Sequence, residues 1–68
     1  MNYKLEADYI ELHQLLKVTG IFMSGGEAKF AISQNRVKVN GSVETRKKNK
    51  IRVNDIIEVK GEKITVTN

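Results

Sequence analysis

Seven bases lie between residues 36 and 52: Arg36, Lys38, Arg46, Lys47, Lys48, Lys50 and Arg52, against one acid, Glu44. Guanidinium groups fork onto phosphate or stack on a base, whereas ammonium groups act as point charges. Such a block is often only a solvated face, but its concentration in a small structured chain points to a polyanionic partner. A second stretch could bind the same kind of ligand. Ser24-Gly25-Gly26-Glu27-Ala28-Lys29 reads as the start of a helix. Ser24 can accept a bond from an orphan amide, and Glu27, three positions on, can reach back to the amide of Ser24. Gly25 and Gly26 are poor helix formers, but they leave the first-turn N–H groups open where the helix dipole favours an anion. Lys29 follows in the second turn, and Lys17 could extend the cationic surface. Taken alone, the stretch is equally a capped helix start with a flexible entry, and the charge downstream tips the reading.

Catalysis has little support in these residues. The chain has no cysteine and a single histidine, His13. That excludes thiolate nucleophiles, thiolate metal sites and clusters of histidine ligands. His13 has no evident nucleophile or metal partner beside it. Asp8 and Glu11 read better as helix-start residues than as an acid and base pair. No enzyme, metal or cofactor is expected.

The elements that position these groups are small. A chain of 68 residues makes one domain spanning 1–68, and stability at that size is marginal. Apolar residues make up 40% of it, and no apolar run exceeds three residues, so neither a signal peptide nor a membrane span is expected. The expected location is the cytoplasm. Charge is unevenly distributed. Residues 1–34 hold three lysines and four acids, a net of −1, while residues 35–68 hold nine bases and four acids, a net of +5.

Residues 2–6 alternate as a short strand. Asp8 can cap a first helix with Glu11 as its box partner, and Leu12, Leu15 and Leu16 supply a buried stripe with Ile10 at its edge. Gly20 is the expected stop, and Ile21-Phe22-Met23 an apolar connector packed between helices. The second helix spans Gly25 to about Gln34, with Ala28, Ala31 and Ile32 inward and Phe30 covered by another part of the fold. Asn35 is a left-handed stop. The period then changes to two. Asn40-Gly41 is a turn, and a three-residue loop there would keep Val37, Val39 and Val43 on one face. Ile51 and Val53 re-enter the sheet after the basic excursion 44–50. Asn54-Asp55 is a turn, and a turn at Gly61-Glu62 would pair Val59 with Ile64 and Ile57 with Val66. The result is an α+β chain, with two packed helices against a small antiparallel sheet of about four to five short strands.

Residues Ile10-Glu11-Leu12-His13-Gln14-Leu15-Leu16-Lys17, then Gly20, Ser24, Ala28, Ile32, Val37-Lys38-Val39-Asn40-Gly41 and Asn54-Asp55-Ile56-Ile57 resemble the S-four-type RNA-binding domain. The Ser24–Lys29 stretch, with Asn40-Gly41 and Glu44-Thr45-Arg46, is similar to its small stand-alone YaaA/YbcJ subfamily. The resemblance implies the alpha-L fold and an RNA-binding surface on the second helix and adjoining strand loops, where Ser24, Gly25, Lys29, Val39, Asn40 and Lys48 fall. Three positions depart from the family pattern: Gly25 stands where arginine is frequent, and Asn35 and Asn54 where glycine is.

The expected function is therefore non-catalytic binding of structured RNA, ribosomal or ribosome-associated, by a monomer with no membrane or small-molecule partner. A protein adaptor docking an acidic partner is the alternative. Few aromatics favour recognition by shape and backbone. Physically, the RNA reading requires that the open amides of the second helix and the cationic loop downstream converge into one anion-attracting patch.

Overall fold

The computed structural model describes residues 1–68. Its elements are β1 (Asn2–Lys4), β2 (Ile10–Glu11), α1 (Leu12–Val18), α2 (Gly25–Ser33), β3 (Lys38–Val39), β4 (Ser42–Val43), β5 (Lys50–Ile51), β6 (Ile56–Val59) and β7 (Glu62–Thr67). Five strands form one sheet in the order β1-β7-β6-β3-β4, while β2 and β5 form a separate two-stranded ribbon. The α+β class holds. The main sheet is antiparallel except at one edge, where β1 runs parallel to β7 with Tyr3 opposite Val66.

Periodicity builds the core. Leu12, Leu15 and Leu16 of α1 and Ala28, Ala31 and Ile32 of α2 are all buried, and the two helices pack on each other. Alternation along β6 and β7 turns Ile57, Val59, Ile64 and Val66 inward to meet them. Every buried residue is apolar, so no polar group carries an uncompensated desolvation cost.

Several local expectations are corrected. Asp8 does not cap α1; Glu11 does. Ile10 and Glu11 are extended because they pair with Ile51 and Lys50, and this tertiary pairing overrides the earlier capping signal. The turn between β3 and β4 has two residues, not three, with Asn40 and Gly41 both left-handed at φ 52 and 87. Val43 therefore lies opposite Lys38 and is half exposed, away from Val37 and Val39. Asn40-Gly41 is well suited to such a primed turn, which matches the natural strand twist; local turn chemistry outweighs one exposed valine.

The β6–β7 turn falls at Lys60-Gly61, both left-handed, so Ile57 faces Ile64 and Val59 faces Glu62. The register differs from expectation by two residues, which leaves every side chain on its expected face. Ile51 enters the small ribbon rather than the main sheet, and Val53 joins no strand. Phe22 is buried and Ile21 packs beside the core, but Met23 is 90% exposed and Phe30 is 61% exposed. Neither is covered by another element.

Candidate nucleic-acid interface

A helix start leaves its first amides without intrahelical acceptors. In α1 the basic loop supplies them. Leu12 N–H donates to the Asn49 carbonyl and His13 N–H to the Lys47 carbonyl, each at 3.0 Å. Where the loop begins, Glu44 N–H donates to the Val37 carbonyl at 2.9 Å. The cationic segment is thus fastened to the core elements at both ends. Lys47, Lys48 and Lys50 are exposed, and none is in an ion pair.

Arg46 is the exception. Its Nε and Nη2 donate to the two carboxylate oxygens of Glu44 at 2.9 and 3.0 Å, and its backbone N–H donates to the same group. The side-chain bond from Arg46 holds the Glu44 carboxyl below its ordinary value, and Glu44 raises Arg46 in turn. The forked face that could grip a phosphate is occupied by Glu44. Arg46 therefore stands apart from the free lysines beside it.

A connected group lies beyond the loop. Lys50 Nζ is 5.0 Å and Arg52 Cζ 5.7 Å from the centre of the Tyr9 ring. Arg52 N–H donates to Asp55 Oδ2 at 2.8 Å, while Asp55 Oδ1 accepts from Asn40 Nδ2 at 3.0 Å. Tyr9, Lys50, Arg52, Asp55 and Asn40 therefore form a single chain of contacts. Asn40 serves it as a strut: its Oδ1 also accepts the Ile56 N–H at 2.8 Å.

At the second helix, Ser24 is the N-cap and its hydroxyl accepts the Glu27 N–H at 3.2 Å. Only this half of the anticipated capping box forms. The Ala28 N–H bonds back to the Ser24 carbonyl. The amides of Gly25 and Gly26 have no acceptor within the chain, and the space around both glycines is open. Lys29 and Lys17 are exposed, Lys17 in the last turn of α1.

The expected meeting of this opening with the loop is not made by direct bonding. The loop is fastened to the N-terminus of α1, whereas Ser24 follows that helix's C-terminus. No hydrogen bond, ion pair or shared depression joins the two regions. Seven residues at about 1.5 Å rise make α1 roughly 10 Å long, and the whole molecule measures 29 × 23 × 20 Å. Arg36 and Lys38 fall elsewhere. They line a shallow depression with Lys60 and Lys63, interleaved with Glu58 and Glu62; Lys38 sits directly opposite Glu58.

Tyr9, Lys60 and Lys63 were absent from the residues singled out by sequence. Tyr9 carries no local signal, because its cations arrive from β5 and the turn after it. The Lys60 ammonium lies 4.7 Å from the centre of the Phe22 ring and 3.4 Å from the Ile21 carbonyl. That contact fixes the β6–β7 turn against the connector entering α2.

This arrangement of two packed helices, a small sheet and basic loops has known counterparts. Residues 3–67 match the S4 domain, and the chain belongs to that family. It is 43% identical over 58 residues to YbcJ of Escherichia coli (strain K12), covering 85% of this chain and 83% of that protein. It is 35% identical over 57 residues to the Probable ribosome maturation protein RlbA of Bacillus subtilis (strain 168), covering 84% and 80%. The solution structure of YbcJ from E. coli, with an alfaL motif involved in RNA-binding, superposes with a TM-score of 0.76 at 38% identity, covering 98% of this chain and 86% of that one. The 30S ribosomal protein S4e from Thermoplasma acidophilum shares the fold at a TM-score of 0.63 and 24% identity, over 85% of this chain and 31% of that one.

Proposed function

We propose that the protein is a non-catalytic, monomeric RNA-binding module that engages structured RNA, ribosomal or ribosome-associated, in the course of ribosome maturation. One observation carries the reading. The segment holding Lys47, Lys48, Lys50 and Arg52 is fastened at both ends, exposed, and free of acidic partners except at Arg46. A mobile cationic tail loses conformational freedom on meeting a polyanion, whereas a braced loop has already lost it. The family membership, and the name of the Bacillus subtilis relative as a ribosome maturation protein, support the same partner. The molecule is small enough for one folded RNA to meet both ends of α1. In that arrangement the loop cations take one stretch of backbone, and Lys29 with the free amides of Gly25 and Gly26 takes another. A ribosomal partner would locate the protein in the cytoplasm.

The test is affinity for a ribosomal RNA fragment as a function of salt. Neutralising roughly four to six phosphates gives a slope of log affinity against log salt of about −3 to −5. A flat response would end the proposal. Retention of co-purifying partners after nuclease treatment would favour the adaptor role instead.

A further inference from the structure

We infer that Tyr9 is a stacking platform for an unpaired base, so that the RNA bound at this site carries a loop, bulge or single-stranded flank beside its helical part. The inference rests on the RNA reading above and names what the RNA must offer. Tyr9 is 40% exposed in the segment leading into β2, and two cations approach its ring, Lys50 at 5.0 Å and Arg52 at 5.7 Å. Phe30 is more exposed at 61%, but no cation lies over its ring. Of the two open aromatics, only Tyr9 offers a π-face together with phosphate-binding groups.

Stacking needs that pairing. A base reaches an aromatic ring while its phosphates remain a few bonds away, so a useful platform has positive charge at its rim. Arg52 is well placed to supply it: its backbone N–H is held by Asp55, which Asn40 holds in turn. Lys50 is tied through the pairing of β5 with β2, where it faces Glu11. Base-on-aromatic stacking outweighs an exposed cation–π contact. An arriving base therefore displaces a cation from the ring, and the displaced cation is left beside the phosphate of the same nucleotide. In a continuous duplex the bases are stacked on each other and cannot reach the ring, although Lys50 and Arg52 still meet the backbone.

The chain has two tyrosines and no tryptophan, which makes the test direct. In a Tyr3→Phe background, Tyr9 is the sole emitter. The probes are an RNA hairpin with an adenosine loop and a blunt duplex of the same stem sequence, at one ionic strength. The expected results are quenching of Tyr9 emission by the hairpin but not by the duplex. Tyr9→Ala lowers hairpin affinity about tenfold and leaves duplex affinity and the salt slope unchanged. Tyr9→Phe retains hairpin binding, as does Phe30→Ala. Thermal melting confirms that each variant is folded. An equal loss on both probes would show that Tyr9 only positions the cations, and absent quenching would show that no base reaches it; either result overturns the inference while the RNA reading stands. If the unaltered protein binds neither probe, the RNA reading fails first and the inference with it.

Discussion

Asn40 Nδ2 donates to Asp55 Oδ1 at 3.0 Å, joining the β3–β4 turn to the turn that precedes β6. The bond does more than close a gap. Asp55 uses its other oxygen to accept the Arg52 N–H. Asn40 uses its own side-chain oxygen to accept the Ile56 N–H, while its backbone N–H donates to the Ile56 carbonyl at 2.7 Å. One asparagine thus extends the β3–β6 ladder past Val39 and, through Asp55, holds the Arg52 backbone where it leaves the β2–β5 ribbon. The Asn-Gly signature is a turn signal in sequence, and in the structure it is also the frame of the basic surface.

Replacing Asn40 tests that frame. Alanine at φ 52 costs about 1 kcal/mol in backbone conformation, and the lost side-chain bonds add about 1 kcal/mol more. Asn40→Ala should therefore lower stability by about 2 kcal/mol, on the order of 10 °C in Tm for a domain of this size. Urea unfolding measures it. A change within about 0.5 kcal/mol would show that the strut is dispensable.

The glycines at the start of α2 separate stability from function. Neither has a positive φ, and a methyl group added at Gly25 meets nothing within 4 Å, while at Gly26 it meets only Ser24 Oγ at 3.9 Å. Gly25→Ala and Gly26→Ala should each stabilise the fold, by about 0.5 kcal/mol or somewhat more. If the amides are kept open for a phosphate, the same variants weaken binding of a ribosomal RNA fragment. Tighter folding with unchanged RNA affinity would remove the helix opening from the interface.

Glu44 restrains Arg46, and Glu44→Gln should release it. The freed guanidinium adds one phosphate contact, steepening the salt slope by about 0.7 to 0.9 depending on strandedness. The pH dependence has a definite sign. Because the folded Glu44 carboxyl sits below its ordinary value, the pair's contribution is present above the unfolded value. It is lost as pH falls through the depressed folded value. Loop order should therefore be flat across neutral pH and loosen only in acid, which exchange of the Arg46 amide would follow. Loosening between pH 6 and 8 would contradict the assignment.

Lys29 and Lys48 test the two stretches proposed to meet RNA. Both are exposed and outside any ion pair, so Lys29→Glu and Lys48→Glu should leave Tm within a few degrees. Each should weaken RNA binding and flatten the salt slope by about 1. If one RNA spans both ends, the double variant loses the sum of the two effects. Full binding by both single variants would mean that the RNA lies on another face.

Periodicity made much of the fold legible. Leu12, Leu15 and Leu16 recur at helical spacing, and Ile57, Val59, Ile64 and Val66 at strand spacing; each pattern needs only a water-free side to become structure. Ser24 announced its helix, since a cap acts within one turn. The family resemblance, too, was carried by motifs readable along the chain. What sequence could not decide was anything made by partners distant along it. Ile10 and Glu11 are extended because Lys50 and Ile51 pair with them, and that pairing overrode a local signal at Asp8. Tyr9 lies beside Lys50 and Arg52, some forty residues on. The lysine loop stands at the start of α1 because Leu12 and His13 needed acceptors that only Asn49 and Lys47 supplied. Backbone hydrogen bonds must be satisfied somewhere, but a sequence does not say with whom. The composition of the basic surface was therefore written in the chain, while its bracing, the neutralised Arg46 and the aromatic at its edge belong to the tertiary structure.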